Sequence, residues 1–214
     1  MNYSICLVQP NGYIHSAAFL ELAELVGYGL QDLGHTAAIN VNQTFVGARN
    51  IIIGCHLLDP AYIPKIPKDS IVINTEQVAA DDTEWNSNIF KWVASFETWD
   101  YSARNLVKLS EVGVKNPKLL RLGYHPKLMR IPKSPVQDID VLFYGSINER
   151  RKKVIDSLKA TGLNVQAVFG VYGDERDKLI SRSKVVLNLH FYSSQIFEVT
   201  AVQHSRSRPN GGLN

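Results

Sequence analysis

His125-Pro126-Lys127-Leu128-Met129-Arg130-Ile131-Pro132-Lys133-Ser134-Pro135-Val136-Gln137 divides the sequence into two parts that otherwise read alike. Each proline fixes φ and removes a backbone donor, so Pro126, Pro132 and Pro135 together disfavour both a helix and a central strand. The stretch therefore reads as a linker over 126–139. Short apolar runs alternate with longer amphipathic segments before it, and the same alternation restarts after it. That texture indicates an α/β fold with a largely parallel sheet on each side of the break. The expected architecture is two Rossmann-like lobes, residues 1–125 and 140–202, the second small and incomplete. Residues 203–214 are polar, without helical or strand period, and read as a disordered or non-native tail.

Working outward, Tyr3–Gln9, Thr36–Val41, Asn50–Cys55, Ser70–Asn74 and Lys118–Leu122 read as strands of the first lobe. The three consecutive isoleucines at 51–53 mark a strand buried on both faces. His15–Leu33, Asn86–Ala94 and Ala103–Val112 read as helices, with Gly34 and Gly113 as stops. In the second lobe Asp140–Tyr144, Asn164–Phe169 and Val185–His190 read as strands. Asn148–Ala160 and Asp174–Ser181 read as helices, and another begins near Ile196. The apolar run at Val185–His190 reads as a strand covered on both faces and paired on both edges, so an end soon after it predicts either a partner subunit over the exposed edge or a lobe that packs on the first and gives up its donor site, with weak or absent transferase activity in either case.

The 214 residues are 45% hydrophobic and 20% charged, which supports a packed core. No apolar run approaches the roughly 20 residues of a membrane-spanning helix. The amino-terminal residues lack a basic segment before their apolar stretch, and only Cys6 and Cys55 are present, so the chain reads as cytoplasmic with buried, reduced thiols, against the alternative of a single disulfide. A net charge of +3 is too mild for a general nucleic-acid binder.

In open α/β sheets ligands bind beyond the carboxyl ends of the strands. After the first strand, Asn11, Gly12 and Tyr13 form a small-residue turn on the acceptor side, and His15 follows as a candidate general base or a surface or capping histidine. Glu76 and Asp100 are next in line as bases; the other reading of Asp100 is a hydrogen bond to the Ser102–Asn105 turn. No G-x-G-x-x-G and no P-loop is present, which disfavours dinucleotide cofactors and P-loop nucleotides. In the second lobe Gly145 and Ser146 precede a helix whose first turn carries Arg150 and Arg151. Arginine at a helix amino end suits a diphosphate, against the alternative of a solvated basic face. Gly170 and Tyr172 form another turn after a strand. Asn188 and His190 interrupt an apolar strand, and Glu198 stands where a carboxylate can take ribose hydroxyls or merely complement a helix dipole. Asp138-Ile139-Asp140 has the spacing of a metal-binding acidic pair, but it precedes its strand and lies away from the ligand end, so no metal site is expected.

Phe143-Tyr144-Gly145-Ser146 with Arg150-Arg151, the Phe169-Gly170 turn, and Leu187-Asn188-Leu189-His190 followed by Phe197-Glu198 resemble the donor lobe of GT-B-fold glycosyltransferases, in particular the short bacterial family-1-like members. Asn74-Thr75-Glu76-Gln77, Trp99-Asp100-Tyr101-Ser102 with Asn105, and Leu122-Gly123-Tyr124-His125 resemble the acceptor lobe and lobe junction of the same proteins. The resemblance implies metal-independent sugar transfer from a nucleotide-sugar donor, of UDP or GDP type, to an acceptor. It places the diphosphate at Arg150 or Arg151 and the ribose at Glu198, with no further cofactor. The chain departs from the family after Glu198, where a small-residue strand and closing helices ordinarily follow.

Two other readings stand beside this one. A two-lobed binding protein would close the same kind of cleft on a small molecule without chemistry. A non-catalytic remnant, or a homo-oligomer whose partner covers the small second lobe, would keep the fold and lose the transfer.

Overall fold

The computed structural model describes residues 1–78 and 86–189. They divide into two compact units, one over Met1–His125 and one from Pro126 onward.

The first unit is a six-stranded sheet, β1 (Asn2–Leu7), β2 (Thr36–Val41), β3 (Arg49–Ile53), β4 (Ile71–Asn74), β5 (Glu97–Asp100) and β6 (Lys118–Leu119). Every pairing is parallel and the order is β2-β1-β3-β4-β5-β6. Side chains of a strand alternate between its two faces, so the isoleucine run divides its burial. Ile51 and Ile53, with Ile5, Leu7, Ile71 and Ile73, pack against Leu22, Ala23, Val26 and Leu30 of α1 (Leu20–Asp32). Ile52, with Cys6, Val8 and Val72, packs against Ile89, Trp92 and Val93 of α2 (Asn86–Ser95) and Leu109 of α3 (Ala103–Glu111). Helices on both faces explain why the central strands are apolar throughout rather than alternating.

In the first unit the expected strand at Lys118–Leu122 shortens to Lys118–Leu119, and two further features differ from the sequence reading. The expected helix from His15 starts as a 3-10 segment, Ile14–Phe19, and becomes α-helical only at Leu20. A strand at Glu97–Asp100 was not expected. Only Thr98 and Asp100 of that segment are buried, and its polar residues conceal the strand pattern.

The second unit is a three-stranded parallel sheet ordered β8-β7-β9, from β7 (Ile139–Tyr144), β8 (Val165–Val168) and β9 (Ser183–Val186). Val141, Phe143 and Val165 pack with Ile155 of α4 (Glu149–Ala160). Ile139 and Leu142 pack with Ile180 of α5 (Gly173–Ser181). The proline-rich segment is bonded into this unit. Leu128 is buried, Ser134 N donates to Ser181 O at 2.9 Å, and Ser181 Oγ donates to Pro132 O at 2.6 Å.

The expected strand at 185–190 is corrected: β9 spans Ser183–Val186 and, among the described residues, pairs only with β7. Lys184 and Val185 are exposed, so this strand is not covered on both faces. His190, Glu198, the helix expected near Ile196 and the tail at 203–214 lie outside the described residues. No helix among the described residues is long and apolar enough to cross a membrane.

Candidate functional site

The first sheet reverses its building direction at β1. β2 lies on one side of β1, while β3 to β6 run outward on the other. The carboxyl ends of β1 and β3 are therefore the topological switch point, the place at which open α/β sheets generally take their ligands. The loops after β1, β3, β4 and β5 carry the first unit's candidate chemistry.

After β3 the chain turns at Gly54, whose φ is +87°. A Cβ there would sit 3.2 Å from Phe19 Cε2, so this turn needs both the left-handed conformation and the missing side chain. The turn delivers Cys55 and His56 into a 3-10 segment, Cys55–Leu57. His56 is 5% exposed and meets the Phe19 ring edge-on at 5.9 Å. Its Nε2 is 3.5 Å from Glu76 Oε1. Burial penalises the imidazolium and drives the His56 pKa down to about 4, so the ring is neutral at pH 7.

Glu76 follows β4, and its side chain is 32% exposed. Loss of hydration on burial raises its pKa above the ordinary carboxyl value. Its charge acts on its neighbours: after burial, Glu76 is the second cause holding Tyr13 above its ordinary value, and it contributes in the same way at Cys55, whose thiol is pushed up to about 12. Tyr13, Cys55, His56 and Glu76 thus form one electrostatic neighbourhood at the switch point. His15 stands beside it, half-buried, with its ring edge-on to Tyr13 at 5.2 Å. Asn11 and Gly12 are exposed in the same loop, Gly12 with φ +75°.

The backbone around Glu76 is fixed by two buried asparagines. Asn74 Nδ2 donates to Glu76 O at 2.9 Å, and Asn74 Oδ1 accepts from Glu76 N at 3.2 Å. Asn105 Nδ2 donates to the same Glu76 O at 2.8 Å, and Asn105 Oδ1 accepts from Val78 N at 3.2 Å. Asp100, fully buried, lies behind both amides. It also accepts from Ser102 N at 2.7 Å, the turn bond that its second reading anticipated. Burial is the largest influence on Asp100 and raises its pKa to about 6 against the lowering effect of its hydrogen bonds.

In the second unit, β7 is central and the loop after it carries Gly145, φ +141°, and Ser146. Asn148 caps α4 by accepting from Arg151 N at 3.0 Å. The two arginines have different situations. Arg150 is exposed. Arg151 is 4% exposed; its Nη1 donates to Ser146 O at 2.8 Å, its Nε and Nη2 both reach Leu189 O, and its guanidinium lies 5.3 Å from the Phe143 ring centre. Arg151 ties the β7 loop to the segment after β9. Gly170, φ +72°, and Tyr172 lead into α5, and Asn188 is half-buried beyond β9.

The acidic pair at the amino end of β7 is occupied by cations. Asp138 is paired with Arg182, and Asp140 accepts from Lys184 Nζ at 2.6 Å and from Asn164 N at 2.8 Å. Among the described residues no group of three or more His, Cys, Asp or Glu side chains could hold a metal ion.

His56 was missed in the sequence reading. The available signal was its position, directly after a buried strand and a glycine turn. Asn74 and Asn105 entered only through a resemblance, since an asparagine in a sequence does not show which backbone groups it will bond.

No protein-family profile matches the chain. It is similar to three uncharacterized proteins of Acanthamoeba polyphaga mimivirus. One is 29% identical over 150 residues, which are 66% of this chain and 19% of the relative. A second is 26% identical over 180 residues, covering 81% of this chain and 55% of the relative. A third is 43% identical over 56 residues, 26% of this chain and 6% of the relative. The chain thus spans about half the length of one of these relatives and about a fifth or less of the other two.

Proposed function

We propose that the protein is a metal-independent, GT-B-like glycosyltransferase that moves a sugar from a UDP- or GDP-type donor to an acceptor hydroxyl, with Glu76 as the general base. The observation that carries this reading is the setting of Glu76. It stands at the carboxyl end of a parallel strand beside the switch point, its backbone is held on both sides, and its partly exposed carboxyl has raised proton affinity. A carboxyl whose proton affinity is raised by burial and whose side chain still reaches solvent is suited to general-base catalysis.

In the reaction the acceptor oxygen attacks the anomeric carbon and a new carbon–oxygen bond forms. The bond from that carbon to the phosphate oxygen breaks, and the nucleoside diphosphate leaves with the electron pair. Glu76 takes the acceptor proton. His56, kept neutral by burial, adds no positive charge that would lower the basicity of Glu76. On the donor side, Arg150 and the Gly145–Ser146 turn remain the candidates for the diphosphate. Arg151 supports the same loop from beneath, because its guanidinium is engaged by backbone carbonyls.

The test is turnover of the full chain with UDP-, GDP- and ADP-sugars, comparing wild type with Glu76→Gln. The variant is expected to lose about 10²- to 10⁴-fold in kcat while nucleotide affinity is retained. Wild-type kcat in Glu76→Gln would overturn the assignment. Loss of turnover in His15→Ala but not in Glu76→Gln would move the base to His15.

A further inference from the structure

We propose that Asp100 is a positioning residue that sets the orientation of two asparagine amides and, through them, fixes the backbone that carries Glu76; its catalytic consequence rests on the glycosyltransferase reading above. Asp100 is fully buried and cannot touch a substrate. It faces the amide nitrogens of both asparagines. Asn74 Nδ2 reaches Asp100 Oδ2 at 2.7 Å, and Asn105 Nδ2 reaches both carboxyl oxygens at 3.1 Å.

An asparagine amide presents a donor end and an acceptor end of nearly the same shape. Which end faces which neighbour is decided by the partners. A carboxylate offers only acceptors, so it draws both NH2 groups toward itself. Each NH2 has two hydrogens: one goes to Asp100 and the other to the Glu76 carbonyl. The opposite ends of the amides, both oxygens, are then left facing Glu76 N and Val78 N, which they accept. Asp100 thus determines four bonds to the Glu76–Val78 backbone without touching that backbone.

Asp100→Asn keeps the shape and removes this selection. Its own NH2 must then face the NH2 of Asn74 or Asn105. Relief requires one amide to turn over, which sets a donor against Glu76 N or Val78 N and breaks that bond. Asp100→Asn combined with Asn74→Asp restores the donor–acceptor match at position 100 and at Glu76 N: the new amide donates to the carboxylate at 74, and that carboxylate still accepts from Glu76 N, while the bond from position 74 to Glu76 O is lost and only Asn105 still donates to that carbonyl.

The experiment is amide hydrogen exchange resolved at Glu76 and Val78, with Ile5 and Ile52 as core references, run alongside turnover. In the wild-type chain both loop amides are expected to be protected; exchange at the free-peptide rate would overturn the proposal. In Asp100→Asn, one or both should exchange about tenfold faster or more, with the references unchanged. The double variant should return part of the Glu76 protection, because position 74 again accepts from Glu76 N. Unchanged loop exchange in a folded Asp100→Asn would also overturn the proposal. Turnover supplies the second readout: Asp100→Asn should lower kcat and shift the acidic limb of its pH profile, and the double variant should recover part of both. A wild-type chain with no turnover on any nucleotide sugar would remove the transfer reading, while exchange would still decide the clamp.

Discussion

His56 and Glu76 form a contact between two groups whose affinities for protons are displaced in opposite directions, with 3.5 Å between Nε2 and Oε1. Burial disfavours charge on both. The imidazole consequently gives up its proton more readily than usual, and the carboxyl holds its proton more firmly. The contact brings together loops that leave β3 and β4, two neighbouring strands of one sheet. Its geometry is therefore set by the sheet register and by the Gly54 turn.

The pH dependence of stability separates His56 from Asp100. The folded-state pKa of His56 is about 4, below its ordinary 6.5, so its contribution is present above pH 6.5 and lost as pH falls toward 4. The folded-state pKa of Asp100 is about 6, above its ordinary 3.8, so its contribution is present below pH 3.8 and lost as pH rises through 6. Each displacement corresponds to about 3 kcal/mol, and between pH 4 and 6 the two slopes oppose each other. Denaturant unfolding should show His56→Gln losing stability from pH 4 to 6, with Glu76 acting in the same direction. Asp100→Asn should lose stability from pH 6.5 down to 4. Slopes of the same sign in the two variants would contradict this account.

Gly54→Ala should destabilise the first unit and disturb the His56–Glu76 contact. The new Cβ meets Phe19 at 3.2 Å and Val8 Cβ at 3.4 Å, and φ +87° is strained for any residue with a Cβ. The expected cost is about 1–3 kcal/mol. Gly12→Ala is the control: its φ is also positive, at +75°, but nothing lies within 4 Å of the new atom. Urea midpoints should fall further for position 54 than for position 12, and equal losses would mean that the close approach to Phe19 is immaterial.

Much of the fold was legible because burial on both faces leaves a plain trace. The three isoleucines of β3 and the glycine stops after α1 and α3 are signals in one stretch of chain. β5 was not legible, since Glu97 bonds Lys118 and Trp99 at 2.6 and 2.9 Å and its polar character reflects those contacts. The 3-10 start before α1 was equally hidden, because its residues fit a helical pattern. At the site, Glu76 was visible as a carboxyl after a strand, whereas Asp100 ends the strand that was not legible and stood out only within its resemblance stretch. Their different settings were not visible, because exposure and the asparagines that surround them are properties of the folded chain. Arg150 and Arg151 are adjacent in sequence and alike in chemistry, yet one side chain is exposed and the other buried.

The acidic pair at Asp138 and Asp140 should be unrelated to any metal. Arg182 and Lys184 already neutralise the two carboxylates, and both pKa values lie below the ordinary range for that reason. The pair also sits at the amino end of β7, opposite the loop that carries Gly145. Asp138→Asn with Asp140→Asn should leave nucleotide affinity and turnover unchanged, with or without a chelator and with or without added Mg²⁺ or Mn²⁺. A metal-dependent gain in wild type that disappears in the double variant would reverse this conclusion.

The two arginines of α4 should separate into a stability residue and a ligand residue. Arg151 donates to Ser146 O and Leu189 O from a buried position, so removing its side chain leaves both carbonyls short of a donor. Losing the charge-assisted bonds that a buried guanidinium makes to two carbonyls costs about 2–4 kcal/mol, and lysine cannot replace a fork that reaches two carbonyls at once. Arg151→Met and Arg151→Lys should therefore both lower the unfolding midpoint of the second unit. Arg150→Ala should change that midpoint little and should weaken nucleoside diphosphate binding by about tenfold or more if Arg150 contacts the phosphates. Replacing both at once would mix the two effects, because a loop released by loss of Arg151 would also lose any ligand that it holds. Thermal unfolding and calorimetric titration with UDP and GDP on each single variant resolve them. A large stability loss in Arg150→Ala, or none in Arg151→Met, would invert the assignment.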